Sequence, residues 1–433
     1  MNKYTQWLYK EIDLWVHDGV IDTGQRDVIK ARYSQEQGVN WSRLIFSSLG
    51  AILIGLGVIL LFAYNWEALH KYVKLGIVFV ALLTAHSLGL WLRRSGSRQE
   101  IAGEGMHVLG TILFGAGIWL IAQIYHIDEH YPNAFLAWSV GALSLAWALP
   151  SIAQGFIAAF LLLLWGGFEV FDFRTVNHFV PVLILAGILP LAWQLRSRAL
   201  TGMVLVSFML SLTFMITRLD GDMIAPLLIF WSTAFIALSM IIKTGKSFQE
   251  SSPVFQFWGY AFYVLLLYLL SFRDLVRSID NIKFEDTAVL LYYLVSCAVA
   301  VFSWALAMWF FIKSKPDFSK IITFSHLSVP LTLLVVILAS LEIGFQGWAG
   351  AMVFNMLFLF HSIIFIVHGS KTVNVKLVTA GCLMFSLLAM SRYVDLFNSL
   401  IARSLVFFIV GAGVFAAGNF YSRIKKQVQG EIS

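Results

Sequence analysis

The residues best equipped for chemistry stand at the end of one apolar stretch, IAQIYHIDEHYP, from Ile121 to Pro132. His126 and His130 offer imidazole nitrogens and Asp128 and Glu129 offer carboxylates, a donor set that suits a divalent cation. Gln123, His126 and His130 are spaced three and four apart, so they share one face if the helix persists that far. Asp, Glu, Tyr, Pro and Asn are also the residues with which a chain turns at the water boundary, and no HExxH spacing accompanies them. The cluster therefore reads as a solvated rim, a polar recognition patch or a metal site. No metal and no cofactor is assigned to it.

Whatever the cluster does, helices must hold it, and composition says what surrounds them. Of 433 residues, 59% are hydrophobic and 12% charged, where a soluble protein carries charge on about a quarter of its positions. Apolar runs of roughly twenty residues, each about long enough to cross a hydrocarbon core of ~30 Å, recur from Trp41 onward. The expected fold class is all-α, a polytopic transmembrane bundle. Fourteen spans are expected, beginning near Arg43, Val73, Met106, Ala134, Ile152, Phe179, Leu200, Met223, Val254, Thr287, Ile321, Gly350, Leu377 and Leu400. Only Leu149, Pro150 and Ser151 join the fourth to the fifth, and a re-entrant pair there would reduce the count to twelve.

Placing both termini in the cytoplasm puts twenty-one of the thirty lysines and arginines on the inner side, the asymmetry of the positive-inside rule. The net charge of +6 is thus a topology signal and calls for no nucleic-acid partner. The first forty residues are polar and no cleavable signal peptide is expected. Cys297 and Cys382 both lie in apolar runs and suggest neither a disulfide framework nor a thiolate metal site.

Residues 1–40 read as a cytoplasmic helical module. Tyr4, Trp7, Leu8, Ile12 and Trp15 fall on one face of a helix from about Tyr4 to His17, ended by Gly19. Asp22, three residues ahead of Gln25, predicts a capping box opening a second helix. Residues 41–150 read as duplicated glycine-rich hairpins, and 151–433 as the remaining spans. The duplication is legible in GAILIGLGVILLFAYNW (Gly50–Trp66) and GTILFGAGIWLIAQIYH (Gly110–His126), which agree at six of seventeen positions. Both copies run outward, so the repeat is parallel, and its glycines let helices pack closely. The alignment sets Asn65 and Trp66 opposite Tyr125 and His126, with Glu67 following at the equivalent outer end, and the fifth span closes similarly with Trp165 and Glu169.

The WVHDGVID pattern, the first span ending FAYNWEAL, and the third ending GIWLIAQIYHI resemble the bacterial membrane family catalogued as domain of unknown function 2157, over about the first 150 residues. That resemblance implies a multi-pass protein of the bacterial inner membrane with no assigned activity. It draws attention to Asn65, Trp66, Glu67, Gln123, Tyr125 and His126.

Span interiors hold essentially no Asp, Glu, Lys or Arg, which disfavours a carrier built on a buried carboxylate. His86, His361, Gln154, Gln194, Asn355 and Asn419 lie within spans, with Glu104, His107 and His326 near the cytoplasmic ends. Each is expected to make helix-to-helix hydrogen bonds. Pro330 is expected to kink its helix. The candidate ligand-binding set is therefore Asn65, Trp66, Glu67, His86, Gln123, Tyr125, His126 and Glu169, with no catalytic residue assigned. Hydrolase elbows, phosphate loops and CxxC motifs are missing. Three readings stay open: a transporter or translocation component for a small or amphiphilic envelope substrate, a non-enzymatic scaffold for an envelope protein partner, and a membrane-embedded lipid-modifying enzyme. The lipid bilayer is a partner in all three, and the oligomeric state is left open.

Overall fold

A computed structural model describes residues 3–34, 53, 70–94, 100–127, 130–245, 247–280, 282, 284, 286–313, 321–341, 348–396 and 400–430. Apart from residue 53, the first apolar span lies outside the described residues, and with it Asn65, Trp66, Glu67 and the rest of the first copy of the repeat. The chain forms two compact units, Met1–Ile77 and Val78–Ser433.

In the first unit, α1 (Lys3–His17) and α2 (Thr23–Ser34) form a short pair. Gly19 adopts the left-handed φ of +73° that releases the chain from α1. Asp22 and Gln25 each accept the other's backbone N–H, at 2.7 and 3.0 Å, which closes the capping box. Ile12 is fully buried, whereas Trp7 on the expected apolar face is 59% exposed. Lys30 bonds Asp13 at 2.5 Å and its carbonyl accepts from the Tyr9 hydroxyl, tying the two helices together.

All regular structure among the described residues is helical. The remaining helices are α3 (Lys71–Arg94), α4 (Glu100–Tyr125), α5 (Pro132–Ala148), α6 (Ile152–Phe171), α7 (Phe179–Gln194), α8 (Arg198–Leu219), α9 (Ile224–Thr244), α10 (Ser252–Leu270), α11 (Arg273–Asp280), α12 (Thr287–Lys313), α13 (Ile321–Ser340), α14 (Trp348–Lys371), α15 (Val375–Leu396) and α16 (Leu400–Gly430). Ten helices among the described residues are long and apolar enough to cross a membrane; α5, α7 and the apolar stretch Ser328–Ser340 of α13 are shorter. Consecutive long helices run antiparallel between two polar ends. One end carries the turns at 149–151, 195–197 and 245–251. There Arg93 donates to Leu149 O and the Trp193 indole to Ser247. The other end carries 130–131, 172–178 and 271–286. There Arg218 donates to Val170 O and Arg392 to Ser271. These are called the Arg93 end and the Glu169 end.

The core runs along α6, α8 and α9, whose buried faces include Leu161, Leu205, Phe208, Ile229, Phe230 and Phe235. Fully buried Tyr263, Phe354 and Phe358 extend it to α10 and α14. Most other helices show broad apolar surface, Phe302 at 71% and Phe408 at 76% exposed among them. Such surface is stable against lipid and costly against water.

One backbone detail differs from expectation. The break in helical geometry is in α7, where Ile184–Ile188 forms a π turn just ahead of Pro190 and the Trp147 indole donates to Gly187 O at 3.0 Å. Pro330, where a kink is expected, lies inside the helix Ile321–Ser340. The loop Ser271–Asp286 contains the helix α11, which buries Val276 and Ile279 completely.

Candidate functional site

Two antiparallel helices carry the same four-residue pattern, HSLG at 86–89 on α3 and HVLG at 107–110 on α4. In a helix, residues three apart share a face, so each histidine lies beside a glycine of its own helix and meets a glycine of the other. A Cβ on Gly110 would lie 2.6 Å from the His86 ring, and one on Gly89 would lie 2.8 Å from the His107 ring. The helices also touch at Gly103, where a Cβ would come 2.8 Å from Gly89 O. These glycines make the room that seats the imidazoles. The rings stack with centroids 5.5 Å apart, and the two Nδ1 atoms are 3.2 Å apart. A hydrogen bond across that gap requires one Nδ1 to carry the proton and the other to accept it.

From this pair a line of polar groups leads through α6 back to the Arg93 end. Thr111, one turn beyond His107, has its hydroxyl 3.1 Å from His107 O and 2.8 Å from Gln154 Oε1 on α6. The Trp138 indole donates to Thr111 O at 2.7 Å, holding α5 against the same turn. Gln154 begins α6 as the residue whose backbone N–H donates to the capping Ser151 hydroxyl at 3.1 Å. Ser151 in turn donates to Glu104, whose other oxygen lies 2.8 Å from Arg93 Nη2. At 1.5 Å rise per residue, His107 sits about 10 Å and Thr111 about 16 Å along α4 from its start at Glu100, so the line reaches towards mid-bilayer.

The line has unfilled capacity. His107 is 2% exposed and Gln154 fully buried, yet His107 Nε2, Gln154 Nε2 and Arg93 Nε have no hydrogen-bond partner among the described residues. Burying such a group unpaired costs about 1–3 kcal/mol. Three of them on one connected line mark a place suited to small polar guests.

At the Glu169 end the carboxylate of Glu169 is fully engaged. It accepts from His130 Nε2 at 2.7 Å, the Trp165 indole at 3.0 Å and the Thr175 hydroxyl at 2.6 Å. Tyr131, donating to Asp172, has its phenol pushed up to about 12 by that bond. Phe135, Phe168 and Phe173 close around these groups. Glu169 is thus brought to His130 as a clasp joining the start of α5 to the end of α6. Gln123, Tyr125 and His126 are exposed. Helix α4 ends at Tyr125 and His126 takes a left-handed φ of +54°, so Gln123, His126 and His130 do not share a helix face. Asp128 and Glu129 lie outside the described residues. No group of three or more His, Cys, Asp or Glu suited to a metal occurs among the described residues.

A second buried histidine lies in the other half of the molecule. His361 on α14 has Nδ1 2.8 Å from Leu357 O and Nε2 3.1 Å from the Ser328 hydroxyl on α13. Thr332 donates to Ser328 O, and the Tyr263 hydroxyl on α10 lies 2.7 Å from Thr332 Oγ1. The carbonyl forces the Nδ1–H tautomer, so Nε2 accepts from Ser328 and both ring nitrogens are engaged.

Residue type alone singles out His86, and marks Gln154 and His107 as helix-to-helix bonds without joining them. The repeated HxxG is the signal in the sequence that does join the two histidines.

Residues 13–154 match the family model described as "Predicted membrane protein (DUF2157)". The match ends at Gln154, so it contains His86, Arg93, Glu104, His107, Thr111, Trp138, Ser151 and Gln154, and stops short of Glu169 and the His361 group. No curated protein and no solved structure shows significant similarity to the chain.

Proposed function

Because residues 13–154 of this chain carry a DUF2157 membrane domain, we propose that the protein is a transport or translocation component whose intramembrane contact point is the His86–His107–Gln154 line. The observation that carries this reading is the pair of buried, unpartnered nitrogens at His107 and Gln154. A bundle built only to be stable gains by removing such groups, since apolar residues of equal size cost less in lipid. Histidine, threonine and glutamine together offer both donors and acceptors, the chemistry of a small hydrogen-bonding solute or of the polar part of an amphiphilic one.

On this reading the chain crosses the bacterial inner membrane fourteen times with both termini in the cytoplasm, so that Arg93 and Glu104 form the cytoplasmic mouth. The excess of lysine and arginine together on that side, twenty-one of thirty, supports the orientation. The outer clasp at Glu169 stays shut while the inner mouth opens.

The test is whether water reaches the line. In full-length protein with Cys297 and Cys382 replaced by alanine, Thr111→Cys is expected to react with a small water-soluble methanethiosulfonate applied from the cytoplasmic face, and His126→Cys only from the outer face. Absence of reaction at position 111 from either face would overturn the proposal.

A second reading, a scaffold that docks an envelope protein, draws support from the exposed Trp7, Leu14 and Val28 on the α1–α2 pair. Its test is co-purification. A partner retained by the whole chain and lost on deletion of residues 1–34 supports it, and no retained partner counts against it.

A further inference from the structure

At the Arg93 end, α8 and α10 both begin, and a groove of about 630 Å³ opens between their first turns. Its walls are apolar, from Phe156 on α6, Met203 and Val206 on α8, and Val254 and Phe257 on α10. Gly202 forms the floor, where a Cβ would approach the Trp258 indole nitrogen to 3.0 Å, so glycine keeps the slot deep. One charged residue lines the groove, Arg198 in the first turn of α8. Arg198 is exposed and makes no ion pair among the described residues. The first turn of α8, where Ser197 caps the Leu200 N–H, adds the partial positive charge of a helix N-terminus at the same place.

We infer that this groove seats an anionic phospholipid of the leaflet at the Arg93 end, its acyl chain along Phe156, Met203 and Val254 and its phosphate at Arg198. The occupant follows from the two ends of the groove. A slot that is apolar along its length and cationic at the membrane surface matches a molecule with a hydrocarbon tail and a negative head. Charge at this end points the same way, with Arg196, Arg198 and Lys243 against Glu250 in the adjoining turns. A second copy of this chain would present to Arg198 the same basic end, which like-charge repulsion disfavours.

The test is native mass spectrometry of the full-length chain purified in detergent and exposed to phosphatidylglycerol or to phosphatidylcholine. Phosphatidylglycerol is expected to stay bound at detergent levels that strip phosphatidylcholine. Arg198→Gln is expected to weaken retention of phosphatidylglycerol about fivefold, the effect of one basic residue at an anionic surface. Arg196→Gln, at the same end but outside the groove, serves as the comparison and is expected to change retention much less. Both residues are exposed, so neither change threatens folding. Equal retention of the two lipids, equal loss from Arg196→Gln and Arg198→Gln, or a dimer of the chain in place of a lipid adduct would each overturn the inference.

Discussion

The protein buries histidine in two places and treats it in opposite ways. At His361 both ring nitrogens are engaged and the donors run one way: Tyr263 to Thr332, Thr332 to Ser328 O, Ser328 to His361, His361 to Leu357 O. At His86 and His107 two rings face each other through identical nitrogens, either of which can hold the shared proton, and His107 Nε2 has no partner among the described residues. The first arrangement is a closed circuit joining α10, α13 and α14. The second is an open one joining α3, α4 and α6. Polar groups within a membrane protein thus serve two ends, and the difference is read from the valences left over, not from residue type. A closed circuit stabilises a helix contact by about 0.6 kcal/mol per bond on average. Open valences are retained at a cost, and a cost retained is a pointer to function.

Substitutions that break one arrangement and spare the other sharpen this contrast. The largest expected effect is Gly110→Leu, which drives a side chain into the space of the His86 ring. Overpacking of this kind costs about 3 kcal/mol, read as a fall in the thermal unfolding midpoint in detergent. Glu104→Leu is expected to cost about 2 kcal/mol in the same assay, because Arg93 is left without its carboxylate. Both side chains keep about a quarter of their exposure, so the loss falls below that of a fully buried pair. His361→Leu removes the acceptor of Ser328 and opens the circuit, for about 1.5 kcal/mol. His107→Leu is expected to cost the least, under about 0.6 kcal/mol, since it deletes one hydrogen bond and one unpaired nitrogen together. Equal destabilisation by His107→Leu and His361→Leu would remove the distinction.

Hydropathy alone makes the helical bundle legible. Charge asymmetry suggests its orientation, and the Asp22–Gln25 spacing forecasts a capping box whose two bonds are present. The helix-to-helix hydrogen bonds expected at His86, Gln154, His361 and Asn355 are present too, with Asn355 on α14 donating at 2.9 Å to Ser271 O at the end of α10. Which residue each meets is not legible, since partners are set by how helices cross and not by position along one chain. The HSLG and HVLG pair is an exception, because a bulky ring and an absent side chain at the same spacing on adjoining helices are complementary. The end of α4 departs from the expected continuous helix for a local reason. His126 leaves the helix through a left-handed conformation that costs a side-chain-bearing residue about 1–2 kcal/mol. The clasp of Glu169 by His130, Trp165 and Thr175 lies just beyond and rewards that turn. The π turn at Ile184–Ile188 is likewise hidden, as only the proline that follows it is visible in sequence.

The contrast between the two histidine sites is tested most directly in the unmodified protein, by diethylpyrocarbonate footprinting read by mass spectrometry. This reagent attacks an unprotonated imidazole nitrogen that solvent or reagent can reach, and exposed His126 supplies the rate of an open ring. His107 is expected to be carbethoxylated in the folded protein, more slowly than His126, while His361 stays unmodified until the chain unfolds. Modification of His361 at the rate of His107, or silence at both, would contradict the assignment of an open and a closed histidine site.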